Sequence, residues 1–522
     1  MSAPPPLRYP GVHAKAQPAK AAVIMAESGA TMNYGELDAY ANRLARLYQS
    51  LGLKTGEHVA YLLDNRLECP AVQWGAHYAG LYYTFISTRL TANEAAYIVE
   101  DCDAKVVVLS DKTARTLVAA LRALPSPPRL YSLDGDFGLE TLSTALEAFD
   151  ASPIENTQEG SEMLYSSGTT GRPKGVRPAL SGKPLGSTAL IADLLTRGFG
   201  ATADTVYLHI APYYHTAQLK WSQAITAIGA TVVMMERFDA EGTLRAIERH
   251  EVTHSQWVPT MFHRLLNLPA ETRVKYDLSS QKVAVHAAAP CPIPVKQAMI
   301  DWWGNIIVEY YSCTETIGTT LCDTKSWLKY PGTVGRAMLG VLHIVGEDGK
   351  EVPVGEEGLV YFSDGPRFRY HKDPVRTAEA YSSQGWATVG DIGKLNAEGF
   401  LFLTDRKSNM IISGGVNVYP QETENVLLTH PKVFDAAVIG TPHEDLGEEV
   451  RAVVQLQPGV SSDAALVQEL IAFCRGQLSP IKCPRVIDFR QHLPREPSGK
   501  LLKRLIRDEY RGRVSAGIGA GK

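Results

Sequence analysis

The sequence predicts an α/β protein in two parts. A large N-terminal domain, residues 1–405, has mainly parallel sheets plus a β-rich subdomain, and a small α+β C-terminal domain spans 406–522. Three observations predict this. The chain has 522 residues, 45% of them hydrophobic, which is too much for one ordinary core and enough for two or three domains. Short β-rich runs alternate with helical segments through the first half, as in sheets built by crossover connections. From Leu339 onward the pattern changes to short strands separated by turn signals, such as Asp348-Gly349 and Ala397-Glu398-Gly399, ending at Asp405-Arg406-Lys407-Ser408.

Taken in order, Asn33 followed by Glu36 is a capping-box helix start. Leu37, Tyr40, Ala41, Leu44, Leu47, Tyr48 and Leu51 then follow at helical spacing, giving an amphipathic helix whose apolar face is core. A strand at Val59 to Leu63, a helix near Val72 to Ala79, a strand at Val106 to Leu109 and a helix from about Lys112 to Ala123 continue the alternation. Trp221 to Met235 reads as a buried helix followed by a strand. Four further strands end in unusual polar or small residues. Thr205 to Ile210 runs into Tyr213-Tyr214-His215, and Val252 to Trp257 into Val258-Pro259-Thr260. Val283 to Ala287 runs into Ala288-Ala289-Pro290, and Ile306 to Tyr310 into Tyr311-Ser312-Cys313-Thr314-Glu315. Ligands of α/β sheets sit beyond the carboxyl ends of strands, so these four ends point to one cleft. Gln421 to Thr429, Phe434 to Ile439, Val450 to Leu456, Ala465 to Leu478 and a basic end make up the small C-terminal domain.

Composition narrows the function. A net charge of −4 with mixed signs gives no field for nucleic acid, so an anionic ligand must be held by local groups. Seven cysteines without a C-x-x-C pair argue for a reducing compartment and against structural zinc. The Pro-rich start lacks a secretory pattern, and no segment reaches about eighteen consecutive apolar residues, so the expectation is a cytoplasmic protein with no membrane span. The oligomeric state stays open, a homodimer included.

The stretch that organises the chemistry is Tyr165-Ser166-Ser167-Gly168-Thr169-Thr170-Gly171-Arg172-Pro173-Lys174-Gly175-Val176. It gathers hydroxyls, glycines and one lysine, the groups that wrap a triphosphate with N–H donors, O–H donors and a mobile positive charge. It is not a Walker loop, because G-x-x-x-x-G-K counted from Gly168 requires glycine where Pro173 stands. It resembles the signature loop of the adenylate-forming superfamily, which includes AMP-forming acyl-CoA synthetases, amino-acid adenylation domains and beetle luciferases. Further matches run from about residue 30 to about residue 505.

The resemblance implies ATP, Mg²⁺ and coenzyme A as the partners of a small carboxylic acid. Tyr311-Ser312-Cys313-Thr314-Glu315 resembles the family's Tyr-Gly-x-Thr-Glu motif, departing at Ser312. Glu315, with a hydroxyl such as Thr169, offers the hard oxygens that suit Mg²⁺. Tyr311 offers a flat face to adenine, and Ala288, Ala289 and Pro290 allow close approach of the base. Asp391 resembles the aspartate that accepts from the ribose hydroxyls, with Arg406 as a second ribose or phosphate contact. Ser166, Ser167, Gly168, Thr169, Thr170, Gly171 and Lys174 belong to the phosphate loop. Lys500, in Pro497-Ser498-Gly499-Lys500, resembles the C-terminal lysine that bridges the carboxylate and the α-phosphate.

His215 resembles the residue that the family places between acyl pocket and thiol tunnel. Thr216 and Ala217 follow it instead of an aspartate, which disfavours an α-amino acid. Tyr214, His215, Gln218, Trp221 and Trp257 as pocket lining favour a fatty or bulky apolar acid. Gly414 and Gly415 resemble the loop that meets the pantetheine arm, and Ser408 occupies the hinge position of a mobile C-terminal domain. The implied activity is an ATP-dependent acid:CoA ligase acting through an acyl-adenylate. Its rivals are an adenylating enzyme that loads a carrier protein and, in another class, an inactive nucleotide-binding module.

Overall fold

The expected capping box opens the first long helix. Glu36 N–H donates to Asn33 Oδ1 at 2.9 Å and Asn33 N–H to Glu36 Oε2 at 2.8 Å, satisfying two orphan donors at the start of Tyr34–Ser50. The computed structural model describes residues 7–135, 137–155, 158–166, 173–188, 190–495 and 501–518, the last eight of these by backbone only. The chain packs into two compact units, one of Met1–Trp257, Asn267–Val285 and Arg367–Glu379, the other of Val258–Leu266, His286–Pro366 and Ala380–Lys522.

In the first unit a six-stranded parallel sheet runs in the order Glu140–Thr141, Arg129–Ser132, Ala104–Leu109, His58–Leu62, Tyr82–Phe85, Ser161–Glu162. Its central strands are buried, as strands covered on both faces must be, and the helices Ala92–Asp101 and Asp111–Arg122 close one side through Ala95, Val99, Ala114 and Leu117. A second group of strands follows the order His254–Trp257, Val206–His209, Thr231–Met234, Ala21–Met25, Thr31–Asn33, parallel except for the last. The helix Thr216–Ala227 precedes Thr231–Met234, matching the buried helix and strand read from Trp221 to Met235. A small antiparallel sheet joins Leu164–Ser166, Lys174–Pro178 and Phe368–Tyr370.

The second unit holds three antiparallel strands, Ile307–Tyr311, Thr319–Cys322 and Arg336–Leu339. The β-rich segment expected after Leu339 is a four-stranded antiparallel sheet of Val341–Val345, Gly358–Ser363, Asp391–Leu395 and Leu401–Arg406. Beyond it, a long hairpin of Val433–His443 and Gly447–Leu456 pairs with Ile411–Ser413 and, in parallel, with Val486–Phe489. The helices Pro420–Leu428 and Ala464–Arg475 cover one face of this sheet through Leu427, Leu466 and Leu470; Ile506 and Tyr510 of the last helix, Lys503–Ile518, pack with Ala437, Ile439 and Val453. The seven cysteines are all free thiols. Among the described residues no helix is long and apolar enough to cross a membrane.

Candidate active site

The phosphate loop leaves and re-enters one antiparallel pair. Ser166 stands opposite Lys174, Tyr165 opposite Gly175 and Leu164 opposite Val176. Ser167, Gly168, Thr169, Thr170 and Gly171 lie outside the described residues. What flanks them is anchored: the Tyr165 hydroxyl donates to the Asp101 carboxylate, and a side chain at Gly175 would press within 3.1 Å of the Tyr165 ring. Lys174 Nζ stands 5.2 Å from the centroid of the Tyr370 ring, a cation–π distance. Tyr370 was not singled out from sequence, because it reaches Lys174 only through the pairing of Val176 with Tyr370.

His215 is the N-cap of Thr216–Ala227 and its ring lies 4.7 Å from that of Tyr214. Gln218 Oε1 accepts from the Tyr207 hydroxyl at 3.2 Å, and Trp221 packs 5.1 Å from Phe199 and 5.7 Å from Tyr207. Trp257 Nε1 donates to Ser255 Oγ at 2.7 Å. This aromatic wall therefore carries polar ties. Sequence reasoning passed over one of them, between His209 Nδ1 and Ser222 Oγ at 2.8 Å; burial pushes the His209 imidazole down to about 3 and keeps it neutral.

In the second unit the structure brings Tyr311, Asp391 and Arg406 together. The sheet register sets Asp391 beside Arg406, and Arg406 Nε donates to Asp391 Oδ1 at 3.1 Å. From the other side the Tyr311 hydroxyl donates to Asp391 Oδ2 at 2.6 Å. The Asp391 carboxylate, against the cost of burial, holds the Arg406 guanidinium above its ordinary value, and Glu315 adds to that effect. Burial first, then Asp391, raises the Tyr311 phenol well above its ordinary range, so it stays a donor. The carboxylate is thus oriented by two donors and only 9% exposed.

Around this cluster the backbone is unusual. Ala288 has φ +75°, a left-handed conformation that costs a side chain roughly 1–2 kcal/mol. Ser312 departs from the family glycine without open space to spare: its Oγ donates to the Gly318 carbonyl at 2.8 Å and accepts from Thr319 Oγ1 at 3.3 Å, tying the turn that carries Thr314 and Glu315. A Cβ at Gly318 would come 2.0 Å from the Phe362 ring, so that position requires glycine.

Ser408 lies in the short 3₁₀ turn Lys407–Asn409, and its carbonyl accepts from Arg507 Nη1 at 3.1 Å. Gly414 and Gly415, at φ +57° and +78°, form the two-residue turn between Ile411–Ser413 and Val416–Val418, the pattern of a type I′ hairpin. Lys500 lies outside the described residues. The chain on either side of 496–500 is closed by a bridge between Arg495 and Leu501, and Leu502 N–H donates to the Pro494 carbonyl at 2.9 Å.

Residues 12–367 match the family profile described as AMP-binding enzyme, and 422–500 that of the AMP-binding enzyme C-terminal domain. The chain belongs to the AMP-binding enzyme family. Within that family it is 32% identical over 507 residues to a 3-[(3aS,4S,7aS)-7a-methyl-1,5-dioxo-octahydro-1H-inden-4-yl]propanoyl:CoA ligase of Rhodococcus jostii, covering 93% of this chain and 95% of the relative. It is also 32% identical over 513 residues to a long-chain-fatty-acid–CoA ligase of Mycobacterium tuberculosis, covering 96% and 97%. Among solved structures it resembles the ATP-bound MatB of Rhodopseudomonas palustris, with a TM-score of 0.82 and 29% identity over 96% of this chain and 99% of that one. This AMP-binding enzyme is an AMP-forming acid–thiol ligase of the adenylate-forming superfamily, with the mixed α/β fold that its sequence implied.

Proposed function

We propose that this enzyme is a cytoplasmic acid:CoA ligase for a fatty or bulky apolar carboxylic acid, with its domains divided at Arg406. The observation that carries the nucleotide half of this reading is the Asp391 carboxylate, held by Tyr311 and Arg406 with one face left for ribose hydroxyls. The two ligases named for a bicyclic propanoyl acid and for long-chain fatty acids support a bulky acid, as does the aromatic wall of Trp221 and Trp257.

In the first half-reaction a carboxylate oxygen attacks the α-phosphorus of ATP, and the bond to pyrophosphate breaks. In the second, the CoA sulfur attacks the acyl carbon, the bond to AMP breaks, and the thiol proton is released. Lys174 and the loop residues 166–171 neutralise the triphosphate, while Tyr311 and Ala288 to Pro290 receive adenine. Lys500 stabilises charge shared between the acid and the α-phosphate. Glu315, whose charge acts on Arg406, and Thr169 are the hard-oxygen donors that fit Mg²⁺. When bound, that ion offsets triphosphate charge. His215 separates acid from thiol, Ser408 is the pivot, and Gly414 with Gly415 leave room for the narrow pantetheine arm.

The test is a panel of carboxylic acids assayed for AMP and thioester with free CoA and with a carrier protein. The reading expects bulky apolar acids and free CoA to be preferred. Preference for a carrier protein, or for acetate over every larger acid, would overturn it.

A further inference from the structure

One amide of the aromatic wall has hydrogen-bonding capacity that its neighbours do not use. Gln218 is 4% exposed and stands in the first turn of Thr216–Ala227, the helix that His215 caps. Trp221, three residues on and so on the same helix face, is 6% exposed. Both meet Tyr207 of the strand Val206–His209. The Trp221 ring lies 5.7 Å from the Tyr207 ring, and Gln218 Oε1 lies 3.2 Å from the Tyr207 hydroxyl.

A second buried amide approaches the same hydroxyl. Tyr207 pairs with His254 in parallel register, so Gln256, two residues past His254, shares the Tyr207 face of the sheet. Its Oε1 also stands 3.2 Å from the hydroxyl, and Gln256 is 2% exposed. The phenol carries one proton and serves one amide oxygen; the other amide meets the phenolic oxygen with its N–H₂ end turned to it. Where Gln218 accepts, both of its N–H groups are left over; where Gln218 is the amide that turns, one is. Among the described residues no other hydrogen bond reaches Gln218. In either arrangement, therefore, at least one N–H donor of a nearly closed side chain has no acceptor. A buried donor left unpaired is costly, and an acceptor brought by a ligand removes that cost.

We propose that Gln218 is a specificity-determining residue, and that the acid this enzyme activates carries one acceptor oxygen in its otherwise apolar body, which receives the Gln218 N–H. This rests on the reading of the acid as bulky and apolar and of its site as lying by His215. The chemical class is a fatty or polycyclic acid with a ketone, ether or hydroxyl oxygen away from the carboxylate. Tyr207 is a positioning residue, because its hydroxyl holds the amide. A site that donates a hydrogen bond to its substrate rejects the analogue lacking the acceptor, since its own donor then stays buried and unpaired. The oxygen should accordingly raise kcat/KM by about 10- to 100-fold over the matched hydrocarbon acid.

The experiment uses ketones, which accept and do not donate. One set is a saturated fatty acid of fixed length with a single ketone moved carbon by carbon along the chain, each compared with the unsubstituted acid. The other is a fused bicyclic propanoic acid with and without a ring ketone. Full-length wild type, Gln218→Met and Tyr207→Phe are assayed for acid-dependent AMP formation with free CoA, and melting curves report folding. Gln218→Met keeps an unbranched side chain of similar length and removes both donors. The expected result in wild type is a ketone preference that peaks at one or two adjacent positions, because a hydrogen bond weakens steeply away from its geometry. That preference should fall below about threefold in Gln218→Met and to an intermediate value in Tyr207→Phe. Equal use of ketone and hydrocarbon acids by wild type, a gain independent of ketone position, or an undiminished preference in Gln218→Met would overturn the inference and leave Gln218 as a buried tie to Tyr207. Should Gln218→Met fail to fold, Tyr207→Phe decides by the same ratio, and an undiminished preference there would overturn it. Activation of none of these acids by wild type would overturn the reading of a bulky apolar acid, and the inference with it.

Discussion

Replacing Asp391 by asparagine separates nucleotide recognition from folding. The carboxylate already receives the Tyr311 hydroxyl at 2.6 Å and Arg406 Nε at 3.1 Å, so an amide of the same shape keeps the packing and removes the charge. A hydrogen bond to a charged group contributes about 1.5–3 kcal/mol, against about 0.5–1.5 kcal/mol for a neutral pair. If the remaining face of Asp391 binds ribose hydroxyls, wild type should prefer ATP over 3′-deoxy-ATP by roughly 10- to 150-fold in kcat/KM, at about 1.4 kcal/mol per factor of ten. Asp391→Asn should lose most of that preference. Its activity with ATP should fall toward the level of 3′-deoxy-ATP, while its activity with 3′-deoxy-ATP falls much less. The assay is pyrophosphate release with each nucleotide, alongside a melting curve. A variant that loses activity equally with both nucleotides would refute ribose recognition by Asp391 and leave it as an anchor for Arg406.

Three further outcomes are expected. Ser408→Pro fixes φ near roughly −65° and should slow thioester formation more than adenylation, as single-turnover kinetics of each half-reaction will register; unchanged rates in both would remove Ser408 as the pivot. Ala288→Gly relieves the left-handed strain and should raise stability by up to about 1 kcal/mol, while Ala288→Val lowers it, measured by urea unfolding. Glu424 is buried, accepts from Val438 N–H at 2.7 Å and pairs with Lys503 at 2.8 Å; burial, only partly offset by Lys503, raises its carboxyl to about 7. The folded protein thus holds this proton more tightly than the unfolded chain. The stability it adds is complete below the ordinary carboxylate range and is lost as pH rises through about 7, by at most roughly 3 kcal/mol. Glu424→Gln should flatten the fall in unfolding free energy between pH 5 and pH 8.

The parts legible in the sequence were those set by near neighbours. Asn33 and Glu36 close a capping box because both ends lie within one turn. Gly414-Gly415 reads in the sequence only as a loop that allows close approach; that it is the two-residue turn of a hairpin emerges from the pairing of Ser413 with Val416 and the positive φ of both glycines. The strands ending near His215, Trp257 and Tyr311 were legible from their apolar runs. The tie between Tyr311 and Asp391 was not, since the residues are 80 apart and meet only through sheet packing. The left-handed Ala288 was equally hidden, because alanine does not announce a positive φ as glycine does. Ser312 is the instructive case. Sequence marked it as a departure, and its hydroxyl is spent on the Gly318 carbonyl, inside the turn. The polar ties of the aromatic wall, such as His209 with Ser222 and Tyr207 with Gln218, arise from side chains that different elements bring together.

The adenylate is the centre of the account, and isotope transfer tests it most directly. The enzyme is incubated with MgATP, CoA and a bulky apolar acid carrying ¹⁸O in both carboxylate oxygens, and the AMP is weighed by mass spectrometry. Attack of the carboxylate on the α-phosphorus predicts one ¹⁸O in each AMP and one in each acyl thioester. AMP that carries no ¹⁸O while thioester accumulates would contradict an acyl-adenylate intermediate.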